Sequence, residues 1–158
     1  MTHQPWWRNA VIYQVYVRSF ADGNGDGAGD LIGLLEHLDY IASLGVDGVW
    51  LNPCYPSPQM DHGYDVSDYL NIEPTYGDLD IFDQLITRAN KLGLRILMDV
   101  VPNHCSDQHA WFTEAITAGR GSKERERFWF RDGQGVCREL AQGGANKLLV
   151  IMCFNPGI

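Results

Sequence analysis

Between Asp22 and Asp30 the chain reads Asp-Gly-Asn-Gly-Asp-Gly-Ala-Gly-Asp, which sets oxygen-bearing side chains at 22, 24, 26 and 30 with only glycine or alanine between them. Hard cations such as calcium take six or more oxygens at about 2.3 to 2.6 Å, so a short segment can supply them only by curling tightly. Glycine at 23, 25, 27 and 29 permits that curl by reaching positive φ without penalty. Asp22, Asn24, Asp26 and Gly27 match positions 1, 3, 5 and 6 of an EF-hand loop, but Gly33 stands where the bidentate acid of position 12 belongs, and Asp30 has to serve instead. Asp-Gly and Asn-Gly pairs also make ordinary turns, so a turn remains the competing reading. A plain turn needs one such pair and this loop has three, which favours the cation.

A second polar set falls in two stretches, Gln59-Met60-Asp61-His62-Gly63-Tyr64-Asp65-Val66-Ser67-Asp68-Tyr69 and Asp99-Val100-Val101-Pro102-Asn103-His104. Acids, histidines and tyrosines gathered on neighbouring loop ends suit a polyol-binding cleft. Asp99 alone reads as a structural anchor, because an ionised carboxylate at the end of an apolar strand must be paired or turned into a polar cleft. His62, in an extended segment, is expected to face away from Asp61. His3, His37 and His109 carry no motif and are expected at the surface, while Trp6, Trp7, Trp50, Trp111 and Trp129 are expected to pack in the core.

The elements that must position these residues alternate in type. Val11 to Val17 is rich in β-branched and aromatic residues, as a buried strand would be. Leu31, Leu34, Leu35, Leu38, Ile41 and Leu44 recur at spacings of three and four, one helical face closed by Gly45. A short apolar run from Val46 to Leu51 follows, then a loop with Pro53, Pro56 and Pro58. Asp78 is placed to cap a helix over 79–91 with Leu79, Phe82, Leu85, Ile86 and Ala89 on one face, and Leu94 to Val101 reads as a third strand. Strands alternating with amphipathic helices predict an α/β fold with a parallel sheet, whose functional loops follow the carboxyl ends of the strands.

Together, Trp6 to Phe20, the 22–30 loop, Asp61-His62-Gly63-Tyr64-Asp65 and Asp99-Val100-Val101-Pro102-Asn103-His104 resemble the amino-terminal part of the α-amylase superfamily, glycoside hydrolase family 13, and within it the α-glucosidase and oligo-1,6-glucosidase branch. The resemblance runs from about Trp6 to Asp132. It implies about three βα units of a (β/α)8 TIM barrel in residues 1–104, the start of a domain inserted after the third strand in 105–135, and a divergent tail over 136–158. It implies that Asp61, Tyr64 and His104 bind the non-reducing glucose of an oligosaccharide substrate. It also makes Asp22, Asn24, Asp26, the carbonyl of Ala28 and Asp30 ligands of a structural calcium or magnesium ion, with Asp99 and Asn103 shaping the cleft floor. The implied activity is hydrolysis of α-glucosidic bonds by a retaining mechanism. The alternatives are transfer or isomerisation of the trehalose synthase or sucrose isomerase type on the same scaffold, or a non-catalytic calcium- or sugar-binding module.

Retaining glycosidases use a carboxylate nucleophile and a carboxylic acid about 5 to 5.5 Å apart. In the resembled family both lie on later strands; the nearest thing here to the Arg-x-Asp nucleophile motif, Arg131-Asp132, has the wrong spacing. No catalytic residue is therefore assigned, and the chain as written is expected to be inactive. From about Val136 the sequence stops resembling the inserted domain, as a reading-frame change, a truncated gene model or a divergent insert would produce. Leu148 to Phe154 is apolar but far short of the roughly 20 residues of a membrane span.

Composition adds exclusions. At 158 residues the chain is shorter than the roughly 200 to 250 of a complete barrel. A net charge of −8 argues against nucleic acid as a partner, and Arg120, Lys123, Arg125 and Arg127, interrupted by Glu124 and Glu126, read as a solvated face. Cys54, Cys105, Cys137 and Cys153 are too scattered for a metal knuckle and fit free thiols. The first twenty residues show no basic start followed by an apolar core, so a cytoplasmic protein without membrane partners is expected.

Overall fold

The computed structural model describes residues 4–130 and the two-residue strand Val150–Ile151. The chain divides into two units, one of residues up to Cys54 with Asn71–Asp99, the other of Tyr55–Leu70 with residues from Val100 onward.

In the first unit three strands, β1 (Ile12–Val15), β2 (Gly48–Leu51) and β3 (Arg95–Met98), form a parallel sheet in the order β1-β2-β3. The connections run through α1 (Val17–Phe20) and α2 (Leu31–Ser43), then α3 (Leu79–Lys91). The register sets Tyr13, Val49 and Ile96 in one row and Val15, Leu51 and Met98 in the next, and both rows face the helices. There they meet Leu34, Leu38 and Ile41 of α2 and Leu85 and Ala89 of α3, all with no exposed surface. The opposite face carries Ile12, Gln14, Trp50 and Leu97. Gln14 there donates to the Asn52 side chain at 2.9 Å.

Both long helices start and stop by the same devices. Asp30 and Asp78 accept the amides of Gly33 and Ile81 three residues on, the N-cap bond that satisfies an orphan donor. At the far ends Gly45 and Gly93 sit at φ 77°, the left-handed residue that closes a helix. Across the pair, Arg88 Nη2 donates to both oxygens of Asp39 at 2.6 and 2.7 Å. Solvent screens this exposed bridge, which orients the two helices more than it stabilises them.

In the second unit β4 (His104–Cys105) pairs antiparallel with β5 (Val150–Ile151), and α4 (Ala110–Ala118) packs Phe112 and Ala115 onto Cys105 and Phe128, with Tyr69 and Phe130 beside them. No helix of the described residues is long and apolar enough to cross a membrane.

Several expectations are corrected. The first strand ends at Val15, and Val17–Phe20 turns helical. The five tryptophans are not core residues: Trp7 and Trp129 are 64% and 76% exposed, Trp6 lies under the Arg95 guanidinium at 4.2 Å, Trp50 stands on the sheet face away from the helices, and Trp111 is 42% exposed on α4. His109 is buried, with its Nδ1 accepting the Trp111 amide at 3.1 Å as the cap of α4. Arg125 is not merely solvated, because its guanidinium lies 3.4 Å over the Phe130 ring, where the ring quadrupole attracts it. His3, Cys137 and Cys153, and the 136–158 tail except Val150–Ile151, lie outside the described residues.

Candidate functional site

The segment after β2 carries Asp61 and Tyr64, and its shape is set by one buried acid. Asp65 is 6% exposed and accepts three hydrogen bonds: from Ser57 Oγ at 2.6 Å and the Asp61 amide at 3.2 Å on one oxygen, and from the Met60 amide at 2.9 Å on the other. Ser57 Oγ in turn accepts the Gln59 amide at 2.9 Å. Between Asp61 and Tyr64 the chain reverses, the Tyr64 amide donating to the Asp61 carbonyl at 2.9 Å. His62 at φ 53° and Gly63 at φ 98° occupy the centre of that reversal, the positive pair that a type I′ turn demands. The extended geometry expected for His62 is therefore replaced by a tight turn.

This conformation is costly locally. Gln59 at φ 60° and His62 at φ 53° are left-handed without being glycine, a cost of about 1 to 2 kcal/mol each. The Gln59 side-chain amide is buried with no partner among the described residues, a further loss of about 1 to 3 kcal/mol. What offsets it is Asp65, since each hydrogen bond to a charged acceptor contributes roughly 1.5 to 3 kcal/mol.

His104 completes the set. The amide nitrogen of Asn103 approaches His104 Nδ1 at 3.3 Å and has only hydrogens to offer, so Nδ1 accepts and Nε2 carries the proton. Nε2 then donates to the Tyr64 carbonyl at 3.1 Å. Asp61, Tyr64 and His104 thus stand on one hydrogen-bonded framework, and the exposed Asp61 carboxylate engages no other described side chain or amide. Behind them the Tyr69 hydroxyl reaches the carbonyls of Val101 and His104 at 2.7 and 2.8 Å, and burial raises its pKa to about 12, so it remains a neutral donor. Reading the sequence missed Asp65, Ser57 and Tyr69. Only the excess of polar residues within 57–69 marked the segment, and nothing local distinguishes an acid that binds the loop's own amides from one that faces ligand.

The 22–30 loop is built differently from the expectation in one respect. Only Gly25 and Gly27 adopt positive φ, at 83° and 94°. Gly23 and Gly29 are glycine because a Cβ would fall 2.4 Å from the Gly33 amide and 2.1 Å from the Val17 carbonyl. Asp22 accepts the amides of Gly25 and Gly27 at 2.6 and 2.8 Å, which holds its carboxyl below the usual range. Asp26 accepts the Ala28 amide and the Asn24 side chain, and buried Asp30 accepts the amides of Gly23, Asn24 and Gly33. Among the described residues no three His, Cys, Asp or Glu side chains are gathered for a metal ion. The donor chemistry nonetheless fits a hard cation. A carboxylate offers about four lone-pair sites, so Asp22 and Asp26, with two hydrogen bonds apiece, and Asp30, with three, all keep acceptor capacity.

Elsewhere, a groove lined by Leu35, Asp83, Gln84, Thr87, Arg88 and Lys91 runs along α2 and α3 and carries none of these residues.

The family described as "Alpha amylase, catalytic domain" matches residues 14–145. Trehalose-6-phosphate hydrolase of Escherichia coli K12 is 55% identical over 135 residues, covering 85% of this chain and 24% of that protein. Oligo-1,6-glucosidase of Bacillus sp. F5 is 50% identical over 143 residues, covering 89% and 27%. Among solved structures, an isomaltulose synthase mutant of Erwinia rhapontici NX5 in complex with D-glucose superposes with a TM-score of 0.79 at 48% identity, over 85% of this chain and 24% of that one. The chain therefore spans about a quarter of the length of these relatives.

Proposed function

The chain belongs to the alpha-amylase catalytic-domain family, and we propose that the protein hydrolyses α-glucosidic bonds in malto- or isomalto-oligosaccharides with retention of configuration. The observation that carries this reading is the shared framework of Asp61, Tyr64 and His104, joined by hydrogen bonds of 2.9 and 3.1 Å through the Tyr64 backbone. An open carboxylate accepts two sugar hydroxyls, a tyrosine ring covers the apolar face of a pyranose, and the His104 N–H, which donates to the Tyr64 carbonyl in this structure, exchanges that partner for a further hydroxyl when sugar binds. These three residues form the subsite for the terminal glucose. The nucleophile and acid are not assigned within residues 1–158.

Asp61→Ala and His104→Ala in the intact protein test the assignment with maltose and isomaltose as substrates. Each should cost about 2 to 4 kcal/mol of transition-state binding, roughly 30- to 1000-fold in kcat/KM, with the melting temperature nearly unchanged. Wild-type kinetics in both variants would sink the subsite. A second reading, isomerisation or glucosyl transfer, is favoured by the likeness to an isomaltulose synthase; product analysis with sucrose distinguishes free glucose and fructose from a rearranged disaccharide.

The same reading gives the 22–30 loop one structural calcium or magnesium ion, held by Asp22, Asn24, Asp26, the Ala28 carbonyl and Asp30. The ion would brace the loop between α1 and the start of α2 and take no part in the chemistry. Its support is the all-oxygen donor set and the acceptor capacity left on the three carboxylates. A cytoplasmic location fits the free, buried thiols of Cys54 and Cys105.

A further inference from the structure

We propose that Asp65 is a positioning residue for sugar binding, acting through Asp61; the inference rests on the subsite reading above and deepens it. Asp65 does not face the ligand surface: it is buried, and its oxygens are taken by Ser57 Oγ and by the amides of Met60 and Asp61. One of those amides belongs to the proposed glucose-binding acid itself, so the position of the Asp61 backbone is fixed directly by the Asp65 carboxylate. The hydrogen bonds span residues 57 to 65 and enclose both non-glycine left-handed residues, Gln59 and His62, together with the orphaned Gln59 amide. A loop assembled from such unfavourable parts would relax without the buried charge that collects its donors. Relaxation would move Asp61 away from the turn that carries Tyr64, whose carbonyl accepts the hydrogen bond from His104 Nε2. The sugar would then have to order the loop as it bound, and that cost would appear as lost affinity and misplacement of the reacting bond.

Asn at 65 is the informative substitution because it is isosteric. Its oxygen can still serve Ser57 and the Asp61 amide, but its NH2 group then opposes the Met60 amide, donor against donor. In the intact protein Asp65→Asn should lower kcat/KM at least tenfold, and Ser57→Ala, which removes one donor, should lower it less. A role in folding alone would also reduce activity, so the deciding measurement is a double-mutant cycle with Asp61→Asn. If Asp65 works through Asp61, adding Asp65→Asn to Asp61→Asn changes kcat/KM by less than about twofold. Penalties that multiply in the double variant, or an Asp65→Asn protein with wild-type kinetics, would overturn the proposal. An Asp61→Asn protein with unaltered kinetics would instead remove the subsite reading, and this inference with it.

Discussion

Single residues show how environment decides what a reactive group does. The thiols of Cys54 and Cys105 are buried, which pushes them up to about 12 and about 11, and nearby Asp99 and Asp107 add to the effect. Only the thiolate attacks electrophiles. At pH 8 both should resist iodoacetamide in the folded protein and react in 6 M guanidinium, as peptide mapping by mass spectrometry would record; rapid native labelling at either position would contradict the burial. The same contrast separates the two acids of the Asp61–Asp65 turn. Sequence reasoning found Asp61 through its motif and passed over Asp65, since both are loop aspartates four positions apart. Their difference lies in which of them collects amides from its own loop, a property of the closed fold that no local pattern encodes.

Elements were legible where local chemistry closes them. The first long helix was expected from its apolar spacing and the closing Gly45, and the second from its apolar spacing and the Asp78 cap, and α3 spans the expected 79–91, whereas the Asp30 cap of α2 was not read from the sequence. The end of β1 was not legible, because α1 depends on remote partners: the Gly29 and Asp30 amides donate to the carbonyls of Arg18 and Ala21 at 2.7 and 2.9 Å. The cap of α4 was also missed, since histidine is an unusual cap. His109 Nδ1 must be unprotonated to accept the Trp111 amide, and burial holds its pKa below the usual histidine value against the opposing pull of Asp68 and Glu114. With the folded value depressed, protonation favours the unfolded chain, so this contribution is present above the ordinary histidine value of about 6.5 and is lost as pH falls through it. Thermal melts of the intact protein from pH 7.5 to 5 should therefore show a decline that His109→Asn, an uncharged cap, reduces; parallel curves would remove His109 from the account. The 22–30 loop offers the corresponding test of the cation. Calcium should raise the melting temperature by mass action on the folded state, and Asp22→Ala with Asp26→Ala should abolish that rise. An unchanged response, or none in the wild type, would leave the loop a plain turn.

At the scale of the molecule, the alternation of strands and helices predicted a parallel sheet, and the sheet is parallel, with one face covered by helices among the described residues. The rows of Val15, Val49 and Leu51 are sealed by α2 and α3, whereas Ile12 and Trp50 on the other face each remain 36% exposed. Among the described residues β1 and β3 also each have a free edge, because β2 alone is paired on both sides. Open edges and an uncovered apolar face recruit other chains. The 158-residue polypeptide on its own is therefore expected to associate at micromolar concentration, giving a light-scattering mass well above its 17.8 kDa. It is also expected to turn over nitrophenyl α-glucoside only at background rates, since a retaining mechanism needs two carboxylates about 5 to 5.5 Å apart and several of its described acids are engaged elsewhere. Asp65 and Asp30 are buried on backbone amides, Asp78 caps α3, and Asp39 is bridged to Arg88. A monodisperse monomer would show that the open face is tolerated, and measurable turnover by the purified polypeptide would mean that an acid such as Asp61 or Asp99 performs chemistry rather than binding.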